Sequence, residues 1–193
     1  MKRLLGAAAA AALAFALCLP ASAAWEADYA ALMIDAAAAG DDEAGRGYAR
    51  VRDEKIASLR LEYAEVDYDD MLLLARVIHT EAGSSWLPDE WRLAVGEVVL
   101  NRVASPEFPN TLEEVVYQPG QYSAANRSWF DTLVPFRSSV EAAFRLLSGE
   151  RVLNDPSVVF QSGAKQGSGV ALELTDSLYG SVYFCYSSRP HLY

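Results

Sequence analysis

Leu74, Ile78 and Glu81 are spaced by four and by three residues, which sets them along one stripe of an α-helix. Glu81 therefore continues an apolar face. It also falls in the last turn of the helix that the pattern predicts from Met71 to about Ala82, with Asp69 or Asp70 as its cap and Gly83 as its stop. The macrodipole is negative in that turn. Burial and dipole both disfavour a carboxylate and raise its pKa. A carboxyl that keeps its proton near neutral pH can act as a general acid, protonating the leaving oxygen as a glycosidic bond breaks. A plainer role is a hydrogen bond to a neighbouring loop, and spacing alone leaves both open.

Other reactive types are sparse. His79 lies two residues before Glu81, but residues two apart on a helix point in different directions and make poor joint ligands. With His79 and His191 the only histidines, no zinc site and no cofactor is expected. Cys185 sits in an alternating apolar run and reads as a buried, inert thiol. Candidates for a second acid are Asp89, Glu90 and Glu97. The first two look like helix-start acids, and Glu97 reads as facing outward from its helix. The run Gly120-Gln121-Tyr122-Ser123 offers an amide, hydroxyls and a ring, so Gln121, Tyr122 and Ser123 are the candidate sugar-binding residues. A simple turn is the alternative there. Asn101 and Arg102 end a helix and read as structural, capping it or pairing with an acid, while Tyr183 and Tyr186 read as sheet packing.

The elements that must position these groups divide the chain in three. Residues 1–23 read as a secretory signal peptide: Lys2 and Arg3, an apolar run over 4–19, then an A-x-A site with cleavage after Ala23 or Ala24. The run is short for a bilayer span, and Leu17 before Cys18 argues against a lipidated cysteine. Residues 24–66 form a helical appendage, with Tyr29, Leu32, Met33 and Ala36 at helical spacing before Gly40-Asp41-Asp42, and a second helix from Glu43 to Leu61. Residues 67–193 form the core domain. There a helix opens at Pro88-Asp89-Glu90 and runs to about Val103, and Thr111 with Glu114 and Ser138 with Glu141 make capping boxes. Residues 118–136 are a polar, aromatic loop. Alternation over Val158 to Phe160 and again at Val182, Phe184 and Tyr186 closes the domain with a small sheet. The expected class is α+β, mostly α.

Lys2 and Arg3 would leave with the signal segment, taking the formal net charge from −10 to −12 over 170 residues. An acidic chain of this kind is repelled by nucleic-acid phosphates and by anionic membrane surfaces. No nucleic-acid partner and no stable membrane insertion after cleavage are expected; a neutral or mixed-charge polymer fits better.

Residues 72–123 resemble the SleB/CwlJ-type cell wall hydrolases, known from spore-cortex lysis during germination. The resemblance rests on Leu74-Ala75-Arg76-Val77-Ile78, Glu81-Ala82, the run from Ala94 to Val103, Phe108-Pro109-Asn110-Thr111, Val115-Val116-Tyr117-Gln118 and Gly120-Gln121-Tyr122-Ser123, with Ala142-Ala143 and the Tyr179 to Tyr186 strand beyond. It implies a lysozyme-like, lytic-transglycosylase-like domain acting outside the cytoplasm on peptidoglycan glycan strands, with Glu81 at the position of the family's general acid. Members include lytic transglycosylases, which cut between N-acetylmuramic acid and N-acetylglucosamine; the family also carries amidase labels. An N-acetylmuramoyl-L-alanine amidase and a non-catalytic wall-binding module therefore stand as alternatives, with an accessory protein left open. Two departures stand out. Gly83-Ser84-Ser85 replaces Arg-Gly-Glu, so no second acid follows Glu81, and Tyr122 replaces a phenylalanine. Trp86 and Trp91 fall where they could shape one lip of a groove.

Overall fold

The computed structural model describes residues 21–59 and 65–193. The apolar run expected to direct export lies outside them. Two helices, α1 (Ala21–Ala39) and α2 (Asp42–Leu59), turn on Gly40, whose φ of 74° suits glycine. The buried stripe of α1 is Ala30, Met33, Ile34 and Ala37, an i, i+3, i+4, i+7 spacing that faces the rest of the protein. Leu32, expected on that stripe, is exposed instead. Both helices pack on the core: Arg52 of α2 is buried against Glu26 at 2.8 Å and lies over the Phe144 ring, and Arg137 pairs with Asp35.

The core begins with α3 (Tyr68–Ala82) and α4 (Asp89–Ala104). The cap of α3 is Asp67, whose carboxylate accepts from the Asp70 amide at 2.9 Å, so the helix starts three residues before Met71. Three nearby acids share the right chemistry, and the one whose backbone is extended takes the role. Gly83 ends α3 in a right-handed conformation. Its glycine is required by proximity, because a Cβ there would lie 2.2 Å from the His79 carbonyl oxygen. Helix α4 starts after Pro88, as the sequence predicts, and is buried nearly all round. Gly96 lets it approach its neighbours: a Cβ would lie 2.4 Å from Leu146 and 2.8 Å from Ile78.

A short helix, α5 (Leu112–Val116), is capped by Thr111, which accepts from the Glu114 amide at 3.2 Å. In α6 (Arg137–Leu147) the expected Ser138–Glu141 box does not form: Phe136 occupies the cap position, and Glu141 pairs with Arg137 at 2.8 Å. Three strands, β1 (Val158–Ser162), β2 (Val170–Asp176) and β3 (Gly180–Tyr186), form an antiparallel sheet in the order β1-β3-β2. Phe184 and Cys185 of β3 are both buried, and the thiol is unbonded to any other cysteine. The α+β class, mostly α, is as the sequence predicts.

The sheet is fastened to α4 rather than merely laid on it. Asn101 Nδ2 donates to the carbonyls of Asp155 and Val158, at 3.1 and 3.0 Å, and Arg102 Nε donates to that of Val159 at 2.7 Å. These two residues are structural, but their partners are strand carbonyls and not a helix cap or an acid. Glu97, expected to face outward, is buried, and its carboxylate accepts from the amides of Val152, Leu153 and Asn154 at 2.6, 2.8 and 3.1 Å. Helix α4 has no solvent face to present, so the 3.6-residue period could not assign one.

Candidate active site

Glu81 ends the buried stripe of Leu74 and Ile78, as its spacing predicts, and its half-buried side chain enters a polar cleft of about 300 Å³. Three elements and one loop build that cleft. The last turn of α3 brings Glu81, the end of α4 brings Arg102, β1 brings Phe160, Gln161 and Ser162, and the 118–136 loop brings Gly120, Gln121 and Tyr122. The turn between β2 and β3 braces the acid from behind. Asp176 accepts from the amides of Leu178 and Tyr179 at 2.8 and 2.9 Å, and the Tyr179 hydroxyl donates to the Glu81 backbone carbonyl. The Tyr179 ring meets Trp91 edge-on at 5.5 Å.

Opposing influences act on the Glu81 carboxyl. Burial raises its pKa above the ordinary glutamate range; the hydrogen bond from Gln161, at 3.5 Å, and the charge of Arg102 act the other way. Burial dominates. The proton is held more firmly than on a surface glutamate, yet the Gln161 donor and the Arg102 charge favour the carboxylate once the proton leaves. No other carboxylate lines the cleft among the described residues. Asp89 pairs with Arg92 and Arg145 on the surface, and Glu97 is committed to the 152–154 backbone.

The three loop residues have different fates. Gln121 is exposed and lines the cleft beside Glu81. Tyr122 is 4% exposed, with the Arg102 guanidinium stacked on its ring at 5.2 Å, so the ring packs inside rather than offering a face for a sugar. Burial pushes its phenol up to about 12, and the hydroxyl has no hydrogen-bond partner. Gln161 Oε1 is likewise buried without a partner. These two polar atoms thus lie buried behind the wall of the cleft that holds Glu81. Ser123 faces a second depression, with His79 and Thr80. Of the two tryptophans expected at a lip, Trp86 is 56% exposed and Trp91 is buried.

Sequence reasoning missed Gln161, Tyr179 and the cleft-facing side of Arg102. A glutamine directly after Val158, Val159 and Phe160 was the available signal, since a polar side chain ending a buried strand needs a partner.

The family model described as Cell Wall Hydrolase matches residues 88–167. Over 56 residues the chain is 38% identical to a spore cortex-lytic enzyme of Bacillus subtilis (strain 168). Over these stretches the chain is similar to the cell wall hydrolases. That aligned stretch is 29% of this chain and spans 18% of the curated relative. The family match takes in Arg102, the Gln121–Ser123 loop and Gln161, and starts just after the turn that follows Glu81. No solved structure matches.

Proposed function

We propose that this chain cleaves peptidoglycan glycan strands outside the cytoplasm, between N-acetylmuramic acid and N-acetylglucosamine, as a lytic transglycosylase with Glu81 as its general acid. The observation that carries the reading is a lone carboxyl in a polar cleft, its proton held by burial. A retaining hydrolase working through a glycosyl-enzyme needs a second carboxylate about 5 Å from the first, and none lines this cleft. Intramolecular attack removes that need. Glu81 gives its proton to the bridging O4 as the C1–O4 bond breaks. The C6 hydroxyl of the muramic acid then closes on C1, and its proton returns to the Glu81 carboxylate. No water is consumed, and a 1,6-anhydro end is left. Arg102 and Gln161 stabilise the carboxylate between the two transfers. Gln121 and Ser123, both exposed, supply hydrogen bonds to sugar hydroxyls and acetamides, and buried Tyr122 supports Arg102 from behind.

The test is mass spectrometry of intact sacculi digested with purified protein, vegetative and spore-cortex material side by side. Soluble fragments ending in 1,6-anhydro sugars are expected, with a loss on the order of 10²-fold or more in Glu81→Gln. New reducing ends would replace the transglycosylase by a muramidase, and free L-alanine amino termini would replace it by an amidase. Release that is the same with and without Glu81 would remove this residue from the chemistry.

A further inference from the structure

Beside the cleft of Glu81 lies a larger depression of about 580 Å³ that the proposed cleavage step does not use. His79, Thr80, Ser123, Arg127, Trp129 and Leu133 line it. The two depressions share the end of α3, which sends Glu81 one way and His79 with Thr80 the other. They share one loop as well, with Gly120, Gln121 and Tyr122 on the Glu81 side and Ser123 with Ala124 beyond it.

The lining is donor-rich and free of carboxylates. His79 Nδ1 accepts from the Phe136 amide at 2.9 Å, which assigns the ring proton to Nε2 and makes that nitrogen a donor. Burial lowers the His79 pKa and keeps the ring neutral. The positive charge comes from Arg127. In a chain with 26 acidic residues against 16 basic ones, Arg46, Arg52, Arg92, Arg137, Arg145 and Arg189 all pair with carboxylates. The Arg127 side chain, by contrast, makes no ion pair or hydrogen bond with the described residues. Trp129, 49% exposed, and Leu133 supply an apolar wall beside it.

We infer that this depression binds the carboxylate-bearing peptide stem of the muramic acid at which the strand is cut, with Arg127 as the anchor of a carboxylate. The inference rests on the glycan-cleaving reading and sharpens it: the substrate is the peptide-substituted strand and not the denuded one. A neutral acetamide would be served by any donor. An unpaired guanidinium in a depression lined by no acid selects a carboxylate, which it can hold through two parallel hydrogen bonds. In a strongly acidic protein such a spot also offsets the repulsion that an anionic stem would otherwise meet.

The test is direct binding to the full-length Glu81→Gln variant, followed by calorimetry or tryptophan fluorescence. Two soluble probes are compared: a disaccharide carrying its peptide, and the same disaccharide with the peptide removed. The peptide-bearing probe is expected to bind about tenfold tighter or more, the worth of one charge-assisted contact. Adding Arg127→Gln should bring the ratio of the two affinities toward one, with Arg127→Lys between. Equal binding of both probes, or an equal loss for both on Arg127→Gln, overturns the inference. Turnover by the wild-type protein separates this from the parent reading. Glycan cleavage without preference for peptide-bearing strands sinks the stem site alone. A peptide preference that depends on Arg127, without any glycan cleavage, sinks the glycan-cleaving reading and leaves the site.

Discussion

The Nε2 of Gln161 donates to Oε2 of Glu81 across 3.5 Å, tying β1 to the last turn of α3 over 80 residues of sequence. The bond favours the ionised carboxyl, and so opposes the burial that keeps the proton on. Gln161 is thereby a positioning residue, because it acts on the acid and not on the substrate.

Gln161→Leu should therefore shift the alkaline limb of the pH–rate profile to higher pH. Arg102 would remain as the cation facing Glu81, with Tyr122 and Tyr179 as the other titratable neighbours. The rate at the optimum should fall roughly fivefold, the worth of about 1 kcal/mol of hydrogen bonding to the carboxylate formed. An unmoved limb, measured over the full profile, would show that the contact does not tune the acid.

Glu81→Gln should separate activity from stability. The folded carboxyl binds its proton more tightly than the unfolded one. Between the ordinary glutamate range, roughly pH 4, and the raised folded value, the native state holds more protons, so wild-type stability declines as pH rises through that window. The variant lacks the titration. Urea unfolding at pH 4 and pH 7.5 should show it gaining on the wild type at the higher pH, and a parallel decline in both proteins would contradict the sheltered-acid reading.

Glu97 should show the opposite pattern. Its carboxylate accepts three backbone amides that have no other partner in the described hydrogen bonds, and Glu97→Gln sets an amide group against them. A loss of about 3 kcal/mol is expected, or about 10 °C in Tm for a chain of this size. Specific activity of the folded protein, assayed well below Tm, should persist. If activity vanished with Tm unchanged, Glu97 would return as a second acid.

Gly96→Ala tests how tightly the core holds the site. The added methyl meets the side-chain ends of Leu146 and Ile78. Crowding of this kind costs about 1–3 kcal/mol, and the better helix propensity of alanine returns about 1. A net loss near 1 kcal/mol in chemical denaturation is expected. Activity should fall as well, because Ile78 lies one turn before Glu81. Unchanged stability would mean that the crowding costs no more than the helix propensity returns.

Much of this was legible along the chain because it is local. The start of α4 at Pro88, the Thr111 cap and the placement of Glu81 on the Leu74–Ile78 stripe are each decided within a few residues. The errors have physical causes. Asp67, Asp69 and Asp70 are chemically equivalent caps, and only the extended backbone at Asp67 distinguishes it. Glu97 was misplaced because a helix buried on all sides carries no polar stripe to read. Strand β2 does alternate at Val170, Leu172 and Leu174, but it follows a Gly- and Ser-rich stretch that masks its start. The partners of Glu81 come from elements distant in sequence: Arg102, Gln161 and Tyr179 meet it only once the sheet is docked.

The anchoring of β1 by Asn101 and Arg102 has a mechanical consequence. Three short bonds weld the strand that carries Gln161 to the helix beside Glu81, so those two flanks of the trough move as one block and cannot hinge apart to admit a polymer. Any widening must come from the 118–136 loop. On the proposed reading, a glycan strand would be received sideways, against a fixed anvil and under a single adjustable edge.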